Sequence, residues 1–173
     1  RSAADPRNRA LLIEAGARHR QPMTHIPAGF IRLLDHPSIT WAYKTDPEAG
    51  ASNREILFPR GRGLGGSSSI NAMIYTRGHR SDYDAWGAGG NPGWSYADVL
   101  PYFCRAEHNE RGADAYHGAS GPLNVMDLRS PNRHAPDFVR AGVEAGFVEN
   151  RDFNGADFEG VGIFVEGVVV RFA

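Results

Sequence analysis

The sequence predicts an α/β protein, and three segments carry that prediction. Residues 9–13 form a short apolar run with turn residues on both sides, which is typical of a buried parallel strand. Residues 121–126 have the pattern of another strand. Residues 135–146 place apolar side chains on one helical face and end at a glycine, as an amphipathic helix does.

Composition excludes several classes of protein. With 41% hydrophobic and 10% aromatic residues, the 173-residue chain is globular and long enough for one domain with a core. Its 19 basic and 20 acidic side chains are mixed along the chain, so no basic surface for nucleic acid is expected. No apolar run approaches the ~20 residues that span a bilayer. We therefore expect a cytoplasmic protein or one peripheral to a membrane.

The first predicted strand is followed directly by an acid, Glu14. At the carboxyl end of a parallel strand, such a carboxylate can accept both hydroxyls of an adenosine ribose, as in dinucleotide-binding folds. The alternative is an exposed loop acid with no ligand.

Residues 17–55 lack clear periodicity and contain four prolines. We expect a long ordered excursion with one short helix near residues 28–34, of the kind that covers a functional site. Trp41 and Tyr43 lie on it, either against a ligand or as anchors to the core.

The glycine loop, residues 61–66, is the strongest local signal. Its four glycines allow the backbone to approach a large ligand closely. Ser67, Ser68 and Ser69 then begin a predicted helix, where they either cap N–H groups or leave those groups to a phosphate. The spacing alone is weak, because Pro59 disfavours a Rossmann strand and no lysine completes a P-loop.

Helices are expected further along the chain. Ile70, Met73 and Ile74 have helical spacing after the glycine loop, with Asn71 as a polar exception. Ser81 is expected to cap one helix, and residues 95–98 to form the capping box of the next. Pro101 is expected to kink or restart that second helix.

One longer pattern identifies a family. Gly61-Arg-Gly-Leu-Gly-Gly-Ser-Ser-Ser-Ile-Asn71, followed by Tyr75, Arg77-Gly78 and Asp84, resembles the first signature of the glucose-methanol-choline oxidoreductases, FAD enzymes that oxidise alcohols. Further matching segments occur in the family's order, up to about Phe164. The nearest branch is that of choline dehydrogenase and the primary-alcohol dehydrogenases.

The resemblance implies a fold and a division into domains. It implies an FAD-binding Rossmann-like parallel sheet whose first strand and Gly-rich turn are missing here, with residues 1–6 resembling the end of the first helix. Residues 1–118 would then be a partial FAD-binding domain, and residues 119–173 the start of an α+β substrate-binding domain. On this interpretation the chain is an N-terminal-region fragment of a larger enzyme and is inactive in isolation.

The resemblance also assigns cofactor contacts. Glu14 would bind the ribose, and Trp41 would lie against the cofactor. The glycines around Arg62 favour a contact between this arginine and a phosphate or a flavin carbonyl; the alternative is a surface cation that orders the loop. The other implied contacts come from the loop and the segment after it: Gly65, Gly66, Ser67, Asn71 and Met73. Some choline-oxidising relatives carry a histidine just before the asparagine and attach FAD to it; here that residue is Ile70, so non-covalent FAD is expected.

The implied reaction passes hydride from a small alcohol to the flavin, with oxygen or a quinone as the final electron acceptor. The family's catalytic histidine would lie beyond residue 173, so no catalytic residue is assigned in this chain. The alternatives are a flavin-containing lyase or decarboxylase of the same fold, and a non-enzymatic truncated product.

Other catalytic and metal sites have no sequence support. The seven histidines show no metal-ligand spacing, and the single cysteine, Cys104, excludes a disulfide within the chain. No serine-hydrolase elbow occurs. Asp82 and Asp84 are interpreted as helix-start acids, and His117 as structural.

Overall fold

The computed structural model describes residues 6–18 and 22–168. Contacts divide the chain into two compact units, Arg1–Ala72 and Met73–Ala173. Along the described residues, the strands and α-helices follow one another in the order strand, strand, helix, helix, strand, strand, helix, strand, which confirms the α/β class. The helix end expected at residues 1–6 lies, apart from Pro6, outside the described residues. The domain boundary expected near residue 118 stays a prediction.

A two-stranded antiparallel hairpin forms the centre of the first unit. Strand β1 (Thr40–Lys44) pairs with β2 (Leu57–Gly61), so Trp41 lies opposite Arg60. Two 3-10 turns precede it, Pro22–His25 and Pro27–Arg32. The second turn confirms the short helix predicted near residues 28–34.

The core of this unit is small and joins three segments. Leu33, Ile39 and Ile70 are buried together, and Met23 packs against them. The Thr40 hydroxyl donates a buried hydrogen bond of 2.6 Å to the Leu33 carbonyl. Ile70, which follows the glycine loop, is therefore anchored beside Ile39 and the start of the hairpin.

The buried strand predicted at residues 9–13 is not formed. Leu11, Leu12 and Ile13 are 85%, 75% and 83% exposed, and none of the described strands pairs with them. A central parallel strand depends on hydrogen-bonded neighbours on both sides. The described residues supply none for this segment.

The helix predicted after the glycine loop is also absent. Only Gly66–Ser69 is helical, as one 3-10 turn. Met73 has φ of 60°, a left-handed conformation that cannot continue a right-handed helix. Apolar spacing alone was therefore a misleading signal here.

Two helices of the second unit begin at caps. Helix α1 (Arg80–Ala88) is capped by His79, whose side chain accepts from the Ser81 N–H, so the predicted serine cap is wrong. Helix α2 (Tyr96–Ala106) begins at the predicted Ser95–Asp98 capping box. It runs through Pro101 as one element, so the predicted restart is wrong.

Helix α3 (Ala135–Glu144) confirms the third predicted helix. Gly146, with φ of 96°, follows its end, where a residue with a Cβ would be strained. Gly142 faces Val161, and a Cβ there would lie 2.9 Å from a Val161 methyl carbon. The absence of a side chain at Gly142 therefore allows helix α3 to pack closely against Val161.

A three-stranded sheet crosses the second unit in the order β3-β4-β5. Strand β3 (Glu107–Asn109) runs parallel to β4 (Leu123–Met126), and β5 (Glu166–Val168) is antiparallel to β4. Strand β4 confirms the strand predicted at residues 121–126. The connection between the two parallel strands contains no helix. It places the His117 ring within hydrogen-bonding distance of Glu107 in β3.

A buried ion network holds the second unit together. The Glu107 carboxylate is fully buried and lies 2.7 Å from Arg77 Nη2 and 3.0 Å from His117 Nδ1. Asn109 Nδ2 also donates to it, at 3.0 Å. The other ring nitrogen of His117, Nε2, lies 2.8 Å from Asp152 Oδ2. The positive charges of Arg77 and His117 thus balance the negative charges of Glu107 and Asp152. Buried charges need such pairing, because an unpaired one would carry a large desolvation cost.

His117 is charged in this network. Each of its ring nitrogens faces a carboxylate oxygen, and only the imidazolium can donate from both nitrogens. Hydrogen bonds to Asp152 and to Glu107 raise the pKa of His117 to about 9 from 6.5. The hydrogen bond from His117 lowers the pKa of Asp152 in turn. The predicted structural role of His117 agrees with this geometry.

No helix among residues 6–18 and 22–168 is long and apolar enough to cross a membrane. The same residues contain no group of three or more histidine, cysteine, aspartate or glutamate side chains arranged to hold a metal ion.

Replacing the buried histidine should destabilise the fold and change its pH dependence. In the natural polypeptide that contains this sequence, we expect His117→Gln to lower the free energy of unfolding by about 3–5 kcal/mol at pH 7, since two carboxylates lose their shared partner. Because the folded-state pKa is raised, the wild-type contribution is fully present below about pH 6.5 and is lost as the pH rises through 9. Urea unfolding between pH 6 and 10 measures both effects.

His134 provides the control, since it pairs with Asp137 at 3.5 Å while remaining 67% exposed. His134→Gln should change the free energy of unfolding by less than about 0.5 kcal/mol. Equal effects of the two substitutions would contradict the buried-network account.

Candidate functional site

The glycine loop folds back on itself and exposes bare backbone. A Cβ on Gly61 would overlap the Gly66 carbonyl oxygen, so only glycine allows this closure. Gly65 and Gly66 have φ of 94° and 55°, and no atom lies within 4 Å of the position of a Cβ on Gly66. The tip of the loop therefore offers a surface that a large flat or anionic group can approach without meeting a side chain.

The three serines stabilise the loop. The Ser67 hydroxyl accepts from the Gly61 N–H at 3.0 Å. Ser68 and Ser69 donate to the carbonyls of Gly65 and Leu64. None of them caps the 3-10 turn. Of the two roles predicted for these serines, helix capping is wrong, because each hydroxyl oxygen bonds the loop backbone.

Glu14 is brought to this loop by Gly16. Glu14 Oε1 accepts from the Gly16 N–H at 2.7 Å, which orients the carboxylate at the end of the apolar run. Gly16 in turn packs against the backbone of Arg62 and Gly63, and a Cβ on Gly16 would lie within 2.6 Å of Gly63 Cα. The acid and the glycine loop thus belong to one site in the first unit.

Arg62 and Trp41 form the side-chain part of this site. The guanidinium carbon of Arg62 lies 4.4 Å from the centre of the Trp41 ring, a cation–π contact. Trp41 stacks on Tyr43, with ring centres 6.1 Å apart and planes within 9°. Tyr43 is 54% exposed, so these rings do not simply anchor the segment to the core.

Arg62 Nε is buried and makes no hydrogen bond to the described residues. A buried N–H without an acceptor costs about 1–3 kcal/mol, so such a group needs a reason. The arginine is half-buried and belongs to the glycine loop, whose backbone is bare at Gly66. An anionic or carbonyl group of a ligand would supply the acceptor.

The last two predicted contacts fall on either side of the division between units. Asn71 is exposed at the end of the first unit, and Met73 is half-buried as the first residue of the second. The left-handed conformation of Met73 costs about 1–3 kcal/mol at a non-glycine residue, so neighbouring contacts must hold it.

Sequence reasoning missed the role of Gly16. The signal for that role was a glycine two residues after Glu14, at a point where the chain must turn and pass close to another backbone segment.

Asp84 accepts from the Tyr96 N–H at 2.9 Å, and Asp82 lies in the first turn of α1, which agrees with their interpretation as helix acids.

Comparisons with known proteins give one consistent result. The family described as GMC oxidoreductase matches residues 9–171. The match extends past Phe164, so the resemblance reaches further along the chain than expected. An alcohol dehydrogenase [acceptor] of Pseudomonas putida is 44% identical over 165 residues, covering 95% of this chain and 30% of that protein. An oxygen-dependent choline dehydrogenase of Sinorhizobium fredii is 43% identical, covering 94% of this chain and 30% of that protein.

A solved structure shares the fold. The crystal structure of pyridoxine 4-oxidase from Mesorbium loti superposes with a TM-score of 0.88 at 35% identity, covering 96% of this chain and 33% of that one. The chain thus spans about a third of the proteins it matches. The predicted resemblance to alcohol and choline dehydrogenases is confirmed.

The contact between Gly16 and the loop can be tested by its size requirement. In the natural polypeptide, Gly16→Ala should lower the free energy of unfolding by about 1–3 kcal/mol, because the new methyl group must displace backbone atoms. Gly50→Ala is the matched control, since a Cβ at Gly50 meets no atom within 4 Å. Thermal or urea unfolding compares them; equal stability of the two variants would contradict the packing described for Gly16.

Proposed function

Because the chain belongs to the GMC oxidoreductase family, we propose that it supplies part of the FAD-binding cradle of an enzyme that oxidises the CH–OH group of a small alcohol. One observation carries the proposal: Gly16, two residues after Glu14, packs against the backbone of the glycine loop. Arg62 of that loop lies over the Trp41 ring. These are the groups required by a ligand with a ribose, a diphosphate and a flat ring system.

The residues fit two chemically distinct regions of FAD, the ribose on one side and the diphosphate or flavin on the other. The oriented carboxylate of Glu14 suits ribose hydroxyls, which are hydrogen-bond donors. The bare backbone at Gly66 allows close approach of the diphosphate or the flavin edge. Arg62 supplies the positive charge and the unsatisfied buried N–H.

Trp41 has a further task in this proposal. With the guanidinium carbon of Arg62 4.4 Å from the centre of its ring, Trp41 restricts where the arginine side chain can lie. The arginine is therefore preorganised for an anionic or carbonyl acceptor. Ser67 contributes indirectly, through its hydrogen bond to Gly61 within the loop. Asn71 and Met73 complete the proposed set on the segment that follows.

FAD, when bound, supplies the acceptor for the hydride removed from the alcohol carbon. The residues of this chain bind and orient; none is assigned as the catalytic base. We assign residues 1–118 to the FAD-binding domain and residues 119–173 to the start of the substrate-binding domain. A small alcohol such as those oxidised by the dehydrogenase relatives is the proposed substrate, with oxygen or a quinone as acceptor.

We also propose non-covalent attachment of FAD, and the nature of Ile70 supports it. This side chain is 3% exposed and packs with Leu33 and Ile39 in the apolar core. A buried aliphatic side chain has no nucleophilic atom with which to form a bond to the flavin.

The first test is the colour of the natural polypeptide. We expect visible flavin bands in the purified protein, and after denaturation and filtration we expect the flavin in the filtrate, because no covalent bond retains it. Addition of a primary alcohol without an acceptor should bleach the bands. A colourless protein that takes up no added FAD would overturn the proposal, and flavin retained on the protein would overturn non-covalent attachment alone.

The second test compares the two arginines on either side of Gly61, Arg60 in strand β2 and Arg62 in the glycine loop. Arg62→Ala should weaken FAD binding about 10- to 100-fold, the size of one lost charge-assisted hydrogen bond. Arg60→Ala is the matched control: Arg60 lies 3.6 Å above the Phe58 ring and donates to the Pro59 carbonyl, away from the loop. FAD titration of the apoprotein followed by fluorescence measures both. Similar affinities for the two variants would remove Arg62 from the site.

A further inference from the structure

A cavity lies beside helix α3 in the second unit. Its volume is about 440 Å³, which is in the range of pockets that hold small molecules. A face of α3 lines it, together with two loop segments, residues 149–151 and 162–163, and Arg111. All of these residues belong to the second unit, so the cavity does not depend on the first.

Part of the cavity wall is apolar. Pro136, Val139 and Val143 are spaced by three and four residues along α3 and therefore share one face of the helix. Ile163 adds a fourth apolar side chain from the second loop segment. Val143 is 44% exposed and Ile163 is 36% exposed. A ligand that covered these side chains would remove apolar surface from water, which favours binding.

The charges in the cavity wall favour an anion. Three guanidinium groups line the cavity, those of Arg111, Arg140 and Arg151. Among the described residues that line it, Glu149 is the only acid. The wall therefore carries a net positive charge beside its apolar surface, and such a combination suits a ligand with one anionic group and one apolar part.

The ion pairs of these arginines leave donors for a ligand. Arg140 Nη2 lies 2.7 Å from a carboxylate oxygen of Asp137, which is not among the described lining residues. Arg151 Nε lies 2.8 Å from Glu149. Each guanidinium has five N–H donors, and exposed ion pairs of this kind are weak. A carboxylate can therefore share these arginines without breaking a buried interaction.

The cavity wall is held in place by contacts within the second unit. Arg111 Nη1 donates to the Arg151 carbonyl at 2.8 Å. The Asn150 N–H donates to the Val161 carbonyl at 2.9 Å, which joins the two loop segments. Gly142 allows α3 to pack against Val161. Because the wall is formed before a ligand arrives, binding requires little ordering of the protein.

We propose that this cavity binds a small monocarboxylate with an aliphatic chain. The carboxylate would lie against Arg140 and Arg151. The chain would cover Val139, Val143 and Ile163. The described lining residues include no aromatic ring, so an aliphatic chain suits the wall better than a stacked ring does. None of the proposed cofactor residues is among these lining residues, so the inference is independent of the proposed FAD site.

Calorimetric titration of the natural polypeptide with hexanoate tests the proposal. Hexanamide has the same chain without the charge, and acetate has the charge with almost no chain. We expect hexanoate to bind at least about tenfold more tightly than either compound, because each of them lacks one of the two kinds of contact.

Two substitutions locate the site. Val143→Asp introduces a negative charge into the apolar wall and should weaken hexanoate binding about tenfold or more. Arg140→Gln removes one cation and should weaken it about three- to tenfold, as expected for a charged contact at an exposed site. The Arg140 side chain is 67% exposed and Val143 is 44% exposed, so neither substitution alters a buried position.

Val148→Asp and Arg133→Gln are the matched controls. Val148 is 75% exposed, Arg133 is exposed just before α3, and neither is among the described residues that line the cavity. Both variants should bind hexanoate as the wild type does. The flavin absorption spectrum, recorded during the same titration, should not change, because no proposed cofactor residue lines the cavity.

The outcomes are distinct. A wild type that does not bind hexanoate overturns the proposal, and that result is expected if the rest of the natural polypeptide fills the cavity. Equal binding of the three compounds also overturns it, as does binding that both cavity substitutions leave unchanged. Weaker binding confined to those two variants supports it. A protein without flavin would contradict the proposed function and leave this test valid.

Discussion

The buried carboxylate of Glu107 is the constraint on which the second unit depends. A carboxylate with no exposed surface must be paired and hydrogen-bonded, or its desolvation would cost several kcal/mol. Arg77, His117 and Asn109 meet that demand from three different segments. Because Asp152 completes the charge balance, a fourth segment is fixed by the same carboxylate. Strand β3, the segment at Arg77 and the loops that carry His117 and Asp152 are thus connected by charges.

The first unit is held by a different constraint, the close approach of backbones. Gly16 lies against Arg62 and Gly63, and Gly61 lies against Gly66, at distances that exclude a Cβ. Among residues 6–18 and 22–72, the apolar core consists of three buried side chains with Met23 packed against them. The glycines of this unit therefore have two effects. Gly16 and Gly61 allow the backbone segments to pack closely, and Gly66 leaves the loop without a side chain where a ligand is proposed to bind.

Local signals explain which elements the sequence predicted correctly. The capping box at Ser95 and the helical spacing that ends at Gly146 act within a few residues, so α2 and α3 were predictable. His117 was predicted to be structural, but its partners were not identifiable. Glu107 and Asp152 lie 10 and 35 positions away from it, and no short spacing rule reaches so far. The cofactor residues were accessible only because a long motif resembles a family.

The absent helix changes the physical account of anion binding at the glycine loop. A full helix would offer aligned N–H groups and a macrodipole, whereas a four-residue 3-10 turn has almost none of this effect. Two of its N–H groups are also engaged, since Gly66 donates to the Gly63 carbonyl and Ser68 to the Gly65 carbonyl. A diphosphate or a flavin carbonyl proposed to bind here would therefore depend more on the charge of a side chain than on a helix dipole. In the proposed FAD site, Arg62 would supply that charge, since it lies against Trp41 and has a buried N–H to satisfy. Recognition as proposed thus combines one cation with a bare backbone surface at Gly66.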